Sequence, residues 1–195
     1  MDTEFPATFD AMLANLTHAL DGRDGSGANH GANVAELTVH LARALGIPES
    51  ELIHYERGAR LHDIGKVRVP ETILLKPGSL TDQEFQIVRR HTTFGFEMLA
   101  PIELLRVAAD IALAHHEHWD GSGYPRGLRG EAIPLPARVF AVVDVWDAVT
   151  SDRPYRGRWT RARAMEHIRA LAGTQFDPKI TRVFLEIIPD HFAME

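Results

Sequence analysis

The stretch LHDIGK, residues 61–66, contains the pair of side chains around which the rest of this sequence is organised. The apolar spacing before it predicts a helix over about residues 49–65, so His62 and Asp63 lie near a helix end. Adjacent helical side chains point about 100° apart, yet both can reach one ion beside the helix. Imidazole and carboxylate together suit Fe, Mn, Ni or Zn, and a carboxylate can bridge two ions. By itself, such a pair more often forms a hydrogen bond that serves packing.

The apolar residues on either side of this stretch repeat with a helical period. Val34, Leu37, Leu41 and Leu45 share one face of a helix that Gly46 ends. Further helices are predicted over residues 5–20, from Thr81 through His91, over 103–117 and 135–150, and after Thr160 and Asp177-Pro178. Since no alternating pattern is long enough to build a sheet, the sequence predicts an all-α domain.

Composition excludes several classes of protein. The chain has 195 residues, 45% of them hydrophobic, and a net charge of −6, which fits one globular domain and argues against binding duplex nucleic acid. It contains no cysteine, so thiolate metal sites and disulfides are excluded. No apolar run reaches the roughly 18 residues of a membrane span, and the N-terminus lacks the features of a signal peptide. We therefore expect a cytoplasmic protein that does not contact membranes.

Other histidines and acids are placed as metal ligands would be. His115-His116 is a second adjacent pair at a helix end, and Asp144 interrupts the apolar helix FAVVDVWDAV, where an unpaired carboxylate would be costly. Each residue alone is more often a satisfied core or surface group. Together, five His and two Asp on five helical segments predict one site for more than one metal ion: His30, His62, Asp63, His91, His115, His116 and Asp144.

Two further segments carry groups that suit a phosphate ligand. The loop DGSGYP, residues 120–125, has glycines that let backbone approach a ligand, and Tyr124 could stack on a base or bond to a phosphate. In RPYRGRWTRAR, residues 153–163, Arg153 and Arg156 follow the Asp144 helix closely and suit phosphate recognition. Lys66, one turn beyond Asp63, could also reach a phosphate.

The motifs LHDIGK, HHEHWDGSGYPRGL and VVDVWDAVTSDRPYR, in this order, resemble the HD-GYP domain, a branch of the HD metal-hydrolase superfamily. KPGSLT at 76–81 and GTQFDP at 173–178 fit the same pattern, so the resemblance covers roughly residues 23–188. It implies an HD-type helical bundle with metal ions in its core. We expect the domain to span residues 23–195, with residues 1–22 as an N-terminal helical extension.

The resemblance also implies a role for individual residues. One ion would be bound by His30, His62, Asp63 and Asp144, and the second by Asp63, His91, His115 and His116, with Asp63 as the bridge. His62, Asp63 and Lys66 would be the catalytic residues. The residues that match positions associated with substrate are Lys66, Tyr124, Asp147, Arg153 and Arg156.

The sequence departs from the family pattern before the first histidine. Family members often carry a Glu, tied to a third metal, where this chain has Ser26. We therefore expect two divalent ions, Fe or Mn in the first place with Zn or Ni also compatible. A third ion is not expected, and the final cleavage of pGpG to GMP is in doubt.

The expected activity is hydrolysis of cyclic di-GMP, or a related cyclic dinucleotide, to linear pGpG by attack of a metal-bridging hydroxide. A catalytically weak dinucleotide sensor or a protein-interaction module of the same fold is one alternative. An HD hydrolase acting on another nucleotide is a second, although such an enzyme has no use for the DGSGYP loop. The exposed loop could also dock a regulatory protein, and a homodimer is compatible with the sequence.

Overall fold

The structure is a computed structural model that describes residues 8–13, 15–16, 30–152 and 157–191. Within these residues the chain is helical without a strand, and the only pairing of β type is an isolated bridge between Ala172 and Phe176. The expected all-α class is confirmed. We number the helices α1 (residues 8–13 and 15–16), α2 (His30–Ala44), α3 (Glu49–Leu61), α4 (Glu71–Leu74), α5 (Asp82–Arg89), α6 (His91–Leu99), α7 (Arg106–Ala114), α8 (Leu135–Thr150), α9 (Arg161–Ala170) and α10 (Pro178–His191).

Three short 3₁₀ helices complete the described elements, at Ile64–Arg68, Glu103–Leu105 and Gly130–Ala132. The first begins after the two residues that follow α3, and α3 itself ends at Leu61, four residues before the end of the helix predicted over residues 49–65. The predicted helix from Thr81 through His91 is divided into α5 and α6, because the shallow ψ of −12° at Arg90 turns the helix axis. The capping box of Thr81 and Glu84 is present as predicted.

The main core forms around α8, which is strongly apolar in sequence. Phe140, Val142 and Val143 of this helix are fully buried, and each such side chain contributes about 1.5–3 kcal/mol of burial free energy. They pack with buried side chains of α2, α3 and α10, including Leu41 and Phe184. The predicted central position of this helix is therefore confirmed, and Asp144 is carried into the middle of the bundle.

A second, smaller core surrounds the residues next to the His62-Asp63 pair. Leu61 and Ile64, on either side of that pair, pack in one buried cluster with Leu13 of α1. The guanidinium of Arg57 on α3 also donates to the Asp10 carboxylate of α1, at 2.7 and 3.1 Å. The His62-Asp63 pair is therefore supported by the packing of the residues on either side of it, Leu61 and Ile64.

No helix within the described ranges combines the length and apolar character that crossing a membrane requires.

Candidate metal centre

The predicted metal ligands gather in two groups at the centre of the bundle. In each group the three possible ligand atoms lie within 4.8 Å of one another. The first group is His30, His62 and Asp144, and the second is His91, His115 and His116. They lie in α2, α6 and α8 or within two residues of the ends of α3 and α7, so distant parts of the chain converge on one place.

Asp63 lies between the two groups and directs one oxygen towards each. Its Oδ2 is 3.0 Å from Nε2 of His62. Its Oδ1 is 3.2 Å from Nε2 of His91 and 3.9 Å from Nε2 of His115. A carboxylate in this position can share its two oxygens between two ions.

The bend at the end of α3 brings His62 and Asp63 onto the same side of the chain. His62 still has helical dihedrals, but Asp63 has φ −101° and ψ 9°, outside the helical range. The following turn packs against α6, where a β-carbon on Gly65 would overlap the carbonyl oxygen of His91 and the backbone nitrogen of Gly95. Only glycine at position 65 therefore allows Asp63 to approach the imidazole of His91 this closely.

Four of the five imidazoles are oriented by a bond from the nitrogen that faces away from the cluster. Nδ1 of His62, His91 and His115 donates to a backbone carbonyl oxygen three or four residues earlier, at 2.8, 2.7 and 2.9 Å. Nδ1 of His30 donates to Oδ2 of Asp147 at 2.7 Å. Because each acceptor takes the Nδ1 proton, Nε2 of the neutral ring carries no proton and can bind a cation.

Burial and neighbouring charge set the protonation of the cluster. Burial, aided by the neighbouring His116, holds the pKa of His115 well below its ordinary value, and burial lowers the pKa of His116 to about 4. Both rings are therefore neutral at pH 7, as metal binding requires. Burial opposes the charged form of His62 as well, but the adjacent Asp63 outweighs it and raises the pKa of His62 to about 9. In the same way, His62 and Lys66 overcome burial and hold the pKa of Asp63 well below its usual range.

The DGSGYP loop folds over the second group. Glu117 is buried, and its two carboxylate oxygens accept from the backbone N–H groups of Arg126 and Leu128 at 2.7 and 2.9 Å. Tyr124 consequently lies against the site, with its ring stacked on His116 at a centroid distance of 4.8 Å. Burial raises the pKa of Tyr124, so its hydroxyl keeps its proton.

Two of the predicted substrate residues lie at this centre. Lys66 places Nζ 2.6 Å from Oδ2 of Asp63, and Tyr124 adjoins His116 as described. Arg153 and Arg156 lie outside the described residues, as does Ser26.

Asp147, which the resemblance associates with substrate, lies beside His30. Its carboxylate is buried, with Oδ2 bonded to His30 and Oδ1 accepting from the hydroxyl of Ser151 at 3.1 Å. One edge of the residue lines a cavity of about 490 Å³, together with Glu36, Arg158 and other residues. Both oxygens accept a bond, so Asp147 orients His30, and its predicted contact with substrate stays a prediction.

Two residues of the site were not found from the sequence. Glu117 stands between the His115-His116 pair and the glycine loop, and this place in the motif was the available signal. Arg89, whose guanidinium carbon is 4.1 Å from the centroid of the Tyr124 ring, has no periodic or motif signal of its own. Only the packing of α5 beside the loop identifies it.

Curated relatives resemble this chain closely in sequence. A cyclic di-GMP phosphodiesterase response regulator from Xanthomonas campestris is 43% identical over 175 residues, covering 89% of this chain and 46% of the relative. A 3′3′-cGAMP-specific phosphodiesterase from Vibrio cholerae is 39% identical over 181 residues, covering 92% of this chain and 35% of the relative. The chain thus spans less than half the length of both proteins.

The fold is similar to that of a solved structure from Vibrio cholerae described as a cyclic GMP-AMP specific phosphodiesterase. The TM-score is 0.71 at 21% identity, over 92% of this chain and 48% of the other. A sequence profile described as HD domain matches residues 10–180. On these matches and its LHDIGK and DGSGYP motifs, the chain belongs to the HD domain family and to its HD-GYP branch.

Proposed function

We propose that this chain is a metal-dependent phosphodiesterase that hydrolyses cyclic di-GMP, or a closely related cyclic dinucleotide, to the linear dinucleotide. The observation that carries the proposal is the position of Asp63, with one oxygen towards each of two neighbouring groups of ligand atoms. The names of the curated relatives support the same substrate class.

The residues present fit two divalent ions, for which Fe or Mn is the first expectation. One ion would be held by His30, His62 and Asp144, and the other by His91, His115 and His116, with Asp63 shared. The donor set is nitrogen and oxygen only, and the imidazoles are fixed by their Nδ1 bonds, as metal-binding histidines usually are. When bound, two such ions neutralise charge on a phosphate and lower the pKa of water towards neutrality.

The side chains around the two groups have separable tasks. Asp147 holds His30 in its tautomer and orientation through the 2.7 Å bond. Lys66 pairs with Asp63 in this structure, and when Asp63 binds cations the ammonium group is placed to stabilise charge on a phosphoryl oxygen. Tyr124, protonated and fixed by the Glu117-anchored loop, offers a hydroxyl and a ring face to the nucleotide.

A turnover assay tests the proposal. The protein is purified anaerobically, loaded with Fe(II) or Mn(II), and incubated with cyclic di-GMP while cyclic di-GMP, pGpG and GMP are followed by chromatography. We expect pGpG to accumulate, with two metal ions per chain by elemental analysis. His62→Ala and Asp63→Ala should abolish turnover and reduce the metal content.

Other results would separate the alternatives. Tight binding of cyclic di-GMP without any product would favour a sensor and overturn the proposed activity. Rapid release of GMP would contradict the two-ion inference drawn from Ser26. Hydrolysis of other nucleotides, with cyclic di-GMP untouched, would identify a different HD hydrolase.

A further inference from the structure

Arg89 is the last residue of α5 and precedes His91 by two positions. Its side chain is half-buried, with the guanidinium carbon 4.1 Å from the centroid of Tyr124 and 5.7 Å from that of Phe85. Stacking on Tyr124 holds the planar guanidinium in one orientation, which lowers the entropy lost when it binds a ligand. The Phe85 ring, 45% exposed, extends this surface outwards.

The guanidinium of Arg89 has no acidic partner within the described part of the chain. Other arginines differ, since Arg57 pairs with Asp10, Arg68 with Glu97 and Arg138 with Asp177. No described residue accepts a hydrogen bond from this guanidinium either, so within the described residues its five N–H donors are available to a ligand. A half-buried cation without a counter-ion is the kind of group that an anion stabilises strongly.

This cation lies next to the metal centre. The Tyr124 ring that carries it stacks in turn on His116, a member of the second ligand group. The Tyr124 hydroxyl interacts electrostatically with Arg89 and also with Asp63 and Lys66. The Tyr124 ring therefore separates the guanidinium of Arg89 from the place where the scissile phosphate would lie.

A cyclic dinucleotide carries two phosphodiester groups, and the metal centre takes only one of them during a cleavage. We propose that Arg89 binds the second phosphate, the one that is not being cleaved, and is thereby a substrate-binding residue that selects for dinucleotides with two phosphate groups. This inference rests on the proposed function. The fork of a guanidinium matches two phosphate oxygens, whereas Lys66, which contacts Asp63, is placed to act on the phosphate that is cleaved.

The test compares two ligands with two guanines each. Cyclic di-GMP has two phosphates, whereas the linear dinucleotide GpG has only one, which the metal centre would take. Arg89→Met keeps an apolar side chain against Tyr124 but removes the charge, and Arg89→Lys keeps a charge. We expect Arg89→Met to raise the KM for cyclic di-GMP roughly 10- to 100-fold. The affinity for GpG, measured by competition, should stay near that of the wild type.

Arg89→Lys should retain part of the affinity for cyclic di-GMP. The matched control is Arg90→Met at the neighbouring position, whose exposed guanidinium lies over Phe94 instead, 4.8 Å from its centroid. This control should behave as the wild type.

Three results would overturn the inference. One is an Arg89→Met variant with wild-type KM for cyclic di-GMP. Another is an equal loss for cyclic di-GMP and GpG, which would mean that Arg89 contacts guanine or only supports Tyr124. The third is a wild-type protein that binds no cyclic di-GMP, which would refute the proposed function as well. A wild type that binds without turnover would refute the activity alone, and Arg89 is then tested by dissociation constants for the same variants.

Discussion

His62 carries a proton in the metal-free protein at pH 7, because the charge of Asp63 outweighs the effect of burial and raises its pKa to about 9. In an unfolded chain the same group has a pKa near 6.5. The protonated form therefore contributes stability that is fully present below pH 6.5 and is lost as the pH rises through 9. A cation that binds Nε2 must displace this proton, so metal uptake and protonation compete at a single atom.

The metal-free protein should accordingly lose thermal stability as the pH rises from 6.5 to 9.5. Thermal unfolding in the presence of a chelator, followed by circular dichroism, measures this directly. His62→Gln, which cannot take up the proton, is the control and should show a smaller decline over the same interval. Parallel curves for the two proteins would contradict the assigned pKa.

Asp147 illustrates a residue that acts on the site through another residue. Replacing its carboxylate with an amide should weaken the bond to Nδ1 of His30 and make that imidazole a poorer ligand. For Asp147→Asn we expect a loss of roughly 10- to 100-fold in metal affinity. Metal titration of the apoprotein measures the loss. Asp110→Asn, on the half-exposed side of α7, is the control, and equal affinities in the two variants would refute the assigned role.

At the scale of structural elements, the turn after α3 determines where Asp63 lies, and the loop after α7 determines where Tyr124 lies. The turn approaches α6 so closely that position 65 has no room for a β-carbon. The loop is held at two backbone amides by the buried carboxylate of Glu117. Neither element contains a long hydrophobic segment, so each depends on a few specific contacts.

Gly65→Ala should push the 3₁₀ helix Ile64–Arg68 away from α6 and separate Asp63 from His91. We expect a destabilisation of about 1–3 kcal/mol, from chemical denaturation, together with a reduced metal content. Gly157→Ala is the matched control, since a β-carbon there meets nothing within 4 Å. Normal stability and metal binding in Gly65→Ala would show that the packing at this turn is not required.

Glu117→Gln should release the loop while leaving the metal ligands in place. The amide of glutamine presents donors to one of the two backbone N–H groups, which costs about 1–3 kcal/mol for an unsatisfied buried group. The KM for the cyclic dinucleotide should therefore rise, with the metal content unchanged. Glu131→Gln, at an exposed position of the same connection, serves for comparison. A KM that does not change would mean that Tyr124 keeps its place without this anchor.

At the scale of the whole molecule, the ligand groups join helices from distant parts of the chain. The cations would cross-link α2, α3, α6, α7 and α8, none of which can supply a complete group alone. Since a cation that binds only the folded state stabilises it by mass action, folding and metal binding are coupled. The division between residues 1–22 and 23–195 stays a prediction, although α1 packs on the main domain through Leu13 and Asp10.

Removing the metal should therefore lower the melting temperature of the whole domain. Calorimetry of the Mn-loaded and chelated protein measures the difference, which should grow with the concentration of free metal. His91→Ala should show a much smaller increase on loading, whereas His54→Ala, outside both groups, should respond as the wild type. Equal responses from both variants would show that stabilisation does not come from this centre.

Much of this protein could be predicted from its sequence alone. The helical class follows from apolar periodicity, a local property, and the apolar run around Asp144 correctly indicates the central helix. The seven candidate ligands could be identified because histidines and acids in an apolar context need partners and because the motifs resemble those of the HD-GYP domain. The predicted end of α3 was wrong by a few residues, and the break at Arg90 was not predicted. The residue at which a helix ends depends on tertiary contacts of the backbone, which the local sequence does not specify.

Only the tertiary structure decided the distances between the ligands and which residues support them. The placement of each oxygen of Asp63, the support of His30 by Asp147, and the contacts of Glu117 and Arg89 depend on how helices far apart in sequence pack together. Local patterns specify which groups exist and on which face of a helix they lie. Distances between atoms on different helices are set by the close packing of the core, which no local pattern contains.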